Sequence, residues 1–308
     1  MSRSAWLRRA QLVGLGAIGA LALPPFHLVF MLLPAITGLI WILDQTDDRR
    51  RAFRVGWMFG LGQGLFGYYW VYSAFLVDAA AHGVLAPFAV VGLAGGLAIF
   101  PAATASIAWS LWRWWSPSPL ARIFTFAGLW AASEWLRASI LTGFPWNLVA
   151  TVWTFSPEVL QAAALLGPYG LGMITIAIAG LPALFLFGDN RRAAMIGMGV
   201  GLVVLADIWI VGNLRLGAAL PSAVDGVRLR LVQPNIPQHL KWRRELRIDH
   251  VRQQMRLSNG PGAAGGLPTH VIWAETAVPF NLSDDHALRH MIASAVPADG
   301  LLITGAPR

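Results

Sequence analysis

Residues 83–112 read GVLAPFAVVGLAGGLAIFPAATASIAWSLW, a run with no Asp, Glu, Lys or Arg. A helix crosses a hydrocarbon core of about 30 Å with about 20 residues, so this run is long enough to span a bilayer. Residues 55–77 and 159–187 are equally free of charge. Two further apolar runs are less clean: 123–141 contains Glu134 and Arg137, and 193–214 contains Asp207. The whole chain is 56% hydrophobic and 12% charged, with 15 tryptophans. Soluble domains carry about 25% charged residues, so the composition points to a membrane protein.

The first apolar stretch, Ala10 to Leu43, is too long for one span, and Pro24-Pro25 in its middle forbids an unbroken helix. Charge placement sets its parity, because cytoplasmic loops collect Lys and Arg. Arg3, Arg8 and Arg9 precede the stretch, and Arg49, Arg50, Arg51 and Arg54 follow it, so both ends are expected on one side. The 78–83 turn and the 142–158 loop lack Lys and Arg, whereas Arg113, Arg122, Arg191 and Arg192 mark the loops between. The alternation predicts a transmembrane domain over 1–222 with seven spans, at about 10–23, 26–43, 55–77, 84–112, 123–141, 160–187 and 193–214. It places the N-terminus in the cytoplasm and everything after about residue 215 outside. A cleaved signal peptide over 1–24 is the rival reading, but no small-x-small site is followed by a soluble mature domain.

Glycines 56, 60 and 64 share one helical face, as do Gly197 and Gly201, a spacing that lets helix backbones approach closely. Trp112, Trp114 and Trp115 are expected in an interfacial aromatic belt. Glu134 and Arg137, three apart on one helix, are expected to pair near the exported end and reach the headgroups.

From about residue 223 the pattern changes. VRLRLVQPNI (227–236) alternates and then turns at its prolines, as a strand entering a loop does. Residues 242–257 put Ile248, Val251 and Met255 on one helical face and arginines elsewhere, an amphipathic helix. A Gly/Pro-rich loop leads to a strand at 270–274, Ser283 can cap a helix opening with Asp284 and Asp285, and GLLITGAPR is again strand-like. This is the rhythm of an α/β layer with parallel strands. In such sheets, ligand-binding groups gather at the carboxyl ends of the strands. Glu275, in VIWAETAVPF (271–280), stands there. On position alone a carboxylate there is more often a hydrogen-bonded loop residue or solvated charge than a catalyst, but one in a partly apolar setting can hold its proton near neutrality and serve as a general base.

LVQPNIPQHLKW, WAETAVPF and LLITGAPR, in that order behind a multi-pass domain carrying EWLRASILTGFPWN, resemble the bacterial apolipoprotein N-acyltransferases. The extracytoplasmic domain of that family belongs to the nitrilase superfamily. The resemblance implies a multi-pass α-helical membrane domain followed by the first part of an α/β (α-β-β-α) nitrilase-like domain over 223–308. It implies that Glu275 is the base of a Glu-Lys-Cys triad. A cysteine would take an acyl chain from a phospholipid as a thioester and pass it to the α-amino group of a diacylated apolipoprotein. It implies no cofactor and no metal, and a bacterial inner membrane location with the nitrilase-like domain in the periplasm. By the same likeness Trp242 matches a tryptophan near the active-site entrance and Trp146 falls in a loop on the exported side. Trp242 reads equally as the apolar anchor of the helix that follows, whereas Trp146 reads more readily as an interfacial anchor.

One departure stands out. The chain has no cysteine, and its single lysine, Lys241, precedes Glu275, whereas the family's catalytic Lys and Cys follow the Glu. The sequence as given is therefore expected to be truncated inside the nitrilase-like domain and unable to form the acyl-enzyme. The net charge of +8 and the basic 242–257 segment suit anionic phospholipid headgroups, and an exported position argues against nucleic acid. A transporter, or a non-catalytic membrane protein using the nitrilase-like part as a binding platform, are the other classes the sequence admits.

Overall fold

The structure, a computed structural model, describes residues 3–187, 191–218, 224–260, 267–275, 277–278, 280–298 and 300–306. The chain divides into two compact units, Met1–Ala218 and Ala219–Arg308.

The first unit is helical: α1 (Arg3–Ala20), α2 (Leu32–Asp44), α3 (Arg49–Gly67), α4 (Ala86–Leu97), α5 (Ile99–Trp115), α6 (Pro119–Ser139), α7 (Ala163–Gly180) and α8 (Arg191–Gly217), with short helical turns between. Among the described residues, three helical stretches are long and apolar enough to cross a membrane: Ala79–Trp115, Ala163–Phe185 and Arg191–Gly217. Local chemistry sets the boundaries. Asp48 caps α3 by accepting from the Arg51 amide at 2.8 Å, and Ser118 with Pro119 opens α6. Pro24 and Pro25 fall in the turn between α1 and α2. The apolar run 55–77 is not one helix: Tyr68 leaves helical geometry after Gly67, and two short helical turns, Tyr69–Val71 and Tyr72–Phe75, carry the chain on. α7 is kinked, because Gly167 at φ 68° precedes Pro168, whose ring and missing N–H break the hydrogen-bond ladder.

α3 is the pivot of this unit. A Cβ on Gly56 would meet Ala105 at 2.7 Å and Ala102 at 2.8 Å, and one on Gly60 would meet Pro101 at 2.9 Å. Gly64 faces Ala94 in the same way, so the 56/60/64 face lies against the 94–105 stretch. On the other side, a Cβ on Gly62 would run into the Val13 carbonyl, and one on Gly16 into the Phe59 carbonyl. Gly197 and Gly201 differ from that pattern. They face the side chains of Leu184, Leu181 and Ile178, not a helix backbone. Phe59, Ile36, Leu39, Ile40, Ile123 and Phe126 fill the centre, and Phe59 and Phe126 sit 6.0 and 5.8 Å from the Trp130 ring. Of the three tryptophans at the end of α5, Trp114 and Trp115 are exposed but Trp112 is buried, because it falls on the face of α5 that joins the core.

The second unit is a three-stranded parallel sheet, β1 (Leu229–Val232), β2 (His270–Trp273) and β3 (Leu301–Ile303), in the order β1-β2-β3. Helices α9 (Arg247–Asn259) and α10 (His286–Ala293) connect them. With sequential order and right-handed crossovers, both helices cover the same face. Val232, Val271 and Trp273 from the sheet, Val251 from α9, and Leu288 and Ile292 from α10 form that core. Register aligns Leu229 with His270 and Leu301, and Leu231 with Ile272 and Ile303, on the opposite face. There Leu231 is 75% exposed and Leu229, Leu301 and Ile303 are all more than half exposed. Two sequence expectations shift. The basic helix starts at Arg247, not 242, because Arg243 is extended (ψ 121°) and a 3-10 turn, Arg244–Leu246, intervenes. The last helix is capped by Asp285, whose carboxylate accepts from the Leu288 amide at 2.8 Å, while the Ser283 amide is spent on the Asn281 side chain.

Because α1 touches α3 backbone to backbone at Gly62, Gly62→Leu is expected to cost about 1–3 kcal/mol by overpacking. Gly92→Leu, at an exposed helix position with nothing within 4 Å of the added Cβ, should leave stability unchanged. Thermal unfolding of both variants in detergent checks the contrast.

Candidate active site

Glu275 lies just beyond the carboxyl end of β2, the central strand, and is exposed at a cleft of about 170 Å³. Lys241, His250, Gln254, Gln233 and the Pro234–Asn235 turn line the same cleft. Helix α9 builds this site. Its inward positions at helical spacing are His250, Val251, Gln254 and Ser258, all buried. Gln254 is wholly buried, and its amide donates to the Ala277 carbonyl at 2.8 Å, holding the segment that follows Glu275. Ser258 donates to the Gln254 carbonyl and accepts from the Trp273 indole, each at 2.8 Å, locking the last residue of β2 to α9. Gln253 donates to the Pro234 carbonyl at 3.0 Å and so fixes the turn after β1, where Asn235 adopts φ 51°. Both strand ends are thereby pinned to one helix. Among the described residues, Gln254 Oε1 and His250 Nδ1 have no hydrogen-bond partner, and Glu275 has no ion pair. One small cleft is thus lined by a carboxylate, a lysine, and two residues whose buried polar atoms lack hydrogen-bond partners among the described residues.

Motif order matches Lys241 to no catalytic lysine, yet folding brings it into the Glu275 cleft. Trp242, the next residue, does not line the cleft. It is exposed beside it, with Lys241 Nζ 5.8 Å from its ring. Sequence reasoning missed His250, Gln254 and Ser258, although the 250, 251, 254, 258 spacing that carries Val251 inward carries them as well.

Trp146 belongs to the first unit, on a loop built by Glu134 and Arg137. Both are buried in α6, so they do not reach headgroups as expected from sequence. They lie 3.9 Å apart. Glu134 accepts from the Val149 amide at 2.9 Å, and Arg137 donates to the Trp146 carbonyl at 2.8 Å and the Tyr68 hydroxyl at 3.2 Å. Asn147 donates its side-chain amide to the Gly67 carbonyl at 2.6 Å, capping α3. Leu141, Gly143 and Asn147 all take positive φ, a backbone that costs energy at the two non-glycine positions and is held by these bonds. The loop presents Trp146, exposed and edge-on to Trp70 at 5.7 Å. Among the described residues no group of three or more His, Cys, Asp or Glu side chains could hold a metal.

The profile of the apolipoprotein N-acyltransferase N-terminal domain matches residues 15–181, more than half of the chain. The chain belongs to the apolipoprotein N-acyltransferase family. The apolipoprotein N-acyltransferase of Caulobacter vibrioides is 40% identical over 301 residues, covering 95% of this chain and 55% of that protein. That of Rhodopseudomonas palustris is 36% identical over 315 residues, with 98% and 58% covered, and that of Allorhizobium ampelinum 35% over 323 residues, with 100% and 59%. The chain thus spans less than two thirds of the length of these relatives. The Glu134–Arg137 pair and the Trp146 loop fall inside the matched family domain, while Glu275 and Trp242 lie beyond it.

Arg137→Met would leave Glu134 buried without its cation and free the Trp146 carbonyl. It is expected to cost about 3–5 kcal/mol, as breaking a buried pair does, and to open the 141–147 loop to protease. Unfolding and limited proteolysis in detergent check this.

Proposed function

We propose that the chain is the membrane domain and the first part of the nitrilase-like domain of an apolipoprotein N-acyltransferase, with Glu275 as the general base. The observation that carries the base assignment is the place of Glu275 beyond the central parallel strand, unpaired, at a cleft shared with Lys241. The proposed nucleophile is a cysteine, a residue type that these 308 residues do not contain. In the reaction, the Glu275 carboxylate takes the cysteine thiol proton. The thiolate attacks the acyl ester carbonyl of a phospholipid, the lysophospholipid alkoxide leaves with a proton, and a thioester remains. The α-amino group of a diacylated apolipoprotein then attacks the thioester, forming the amide and regenerating the thiol.

An α-β-β-α sandwich accounts for the bare sheet face. Leu229, Leu231, Leu301 and Ile303 form an exposed apolar surface of the kind that a second sheet buries at about 10 Å spacing. Support for the sidedness comes from the arginines: those at 49–54, 113, 122, 191 and 192 mark cytoplasmic loops, so seven crossings of the bacterial inner membrane put the nitrilase-like part in the periplasm. Trp146 and Trp242 are the proposed contacts for lipid or acceptor. The partners are the phospholipid donor, the diacylated apolipoprotein and the membrane itself, with no cofactor or nucleic acid.

In a full-length protein carrying the Lys and Cys, Glu275→Gln should slow thioester formation from a labelled phospholipid by about 10²–10⁴-fold. Labelling at the parent rate would exclude the base assignment. Since the chain has no cysteine, Asp284→Cys gives a single site for a membrane-impermeant maleimide. Labelling in intact spheroplasts is expected, and labelling only after lysis would overturn the sidedness.

A further inference from the structure

The second unit holds most of its guanidinium groups on partners. Arg228 donates to the Leu267 carbonyl, Arg230 to the Ser258 and Gly260 carbonyls, and Arg252 to Asp249, while Arg247 lies 5.9 Å from the Phe280 ring. Arg243 and Arg244 are different in being adjacent, since Arg256, exposed and likewise without a hydrogen bond or ion pair among the described residues, stands apart from them on α9. Both are exposed, and among the described residues neither side chain has a hydrogen bond or an ion pair. They follow directly on Trp242, which is 45% exposed and has the Lys241 ammonium beside its ring. Residues 241–245 carry three cations against one anion, Glu245.

We propose that Trp242, Arg243 and Arg244 form a docking site for anionic phospholipid headgroups, placed next to the Glu275 cleft through Lys241, which lines that cleft. The chemistry is specific on both counts. An indole prefers the headgroup level of a bilayer, where its ring is buried and its N–H is wet. A guanidinium binds phosphate through two parallel N–H donors, and two adjacent ones without internal partners lose none in doing so. The tether favours lipid over a diffusing polyanion. β1 begins at Leu229, twelve residues after α8 ends at Gly217, a reach of about 40 Å at most, and α8 is apolar enough to cross a membrane. A surface tethered by sequence to such a helix meets headgroups at an effective concentration that a diffusing polyanion lacks. The inference rests on the reading under "Proposed function", since it takes the second unit to face the outer lipid surface. Its test, however, needs no catalysis.

The absence of cysteine allows His239→Cys, exposed on the short helix Gln238–Lys241, to carry a single fluorophore on the whole chain in nanodiscs. Quenching by a nitroxide on the lipid headgroups reports docking. We expect strong quenching in discs containing phosphatidylglycerol, weak quenching in pure phosphatidylcholine, and loss of the difference in about 1 M salt, where the screening length is about 3 Å. Arg243→Gln with Arg244→Gln should lower the docked-to-undocked ratio roughly 25-fold, about fivefold per arginine near an anionic surface. Equal quenching in both lipids, no effect of the double variant, or displacement by inorganic phosphate at matched ionic strength would each overturn the proposal. The last result would mark a small-anion site. Glu275→Gln should leave the quenching unchanged, so failure of the base assignment and failure of the docking site give different results.

Discussion

Close backbone contact along α3 is the constraint on which the first unit rests. A helix can approach two neighbours at once only if small residues line both faces, and α3 does this with Gly56, Gly60 and Gly64 on one side and Gly62 on the other. In a bilayer this geometry matters more than apolarity, because lipid tails are as apolar as Leu and give helices no hydrophobic reason to associate. Dispersion contacts at short range take over that role. The same helix ends where Tyr68 turns away, and its Gly67 carbonyl takes the Asn147 side chain. The packing of α3 therefore also seats the loop that carries Trp146.

Burial of charge follows from this seating. Glu134 and Arg137 stand inside the helical unit, where an isolated ion is costly, and each compensates the other while bonding a different part of one loop. Their value lies in position: two backbone groups of the 146–149 segment find partners that a loop in this setting otherwise lacks. A loop with three residues at positive φ keeps one shape only because it is tied at both ends.

The second unit solves a related problem with one helix. α9 turns a polar stripe, His250, Gln254 and Ser258, inward beneath the ends of β1 and β2, and so converts two strand ends into a cleft wall. Its outward side is basic. The sheet meanwhile has a finished face against α9 and α10 and an unfinished one, where branched apolar side chains remain exposed.

The amino-acid sequence alone determined the class. Charge-free runs of more than 20 residues, the switch to strand-helix rhythm near residue 223, the parallel sheet, and Glu275 at a strand end are all local patterns, legible because periodicity and burial are linked residue by residue. Family kinship was legible too, in ordered motifs spread along the chain. Tertiary structure alone decided the rest. That Glu134 and Arg137 turn inward, that Trp112 is core while Trp114 and Trp115 are not, and that Asp285 takes the cap from Ser283 all depend on which neighbour occupies the adjoining space. Lys241 shares a cleft with Glu275, from which it is separated by a helix and a strand in sequence. Sequence spacing fixes which residues share a helix face, but contacts across elements are set by how whole faces pack, and no short window contains that information.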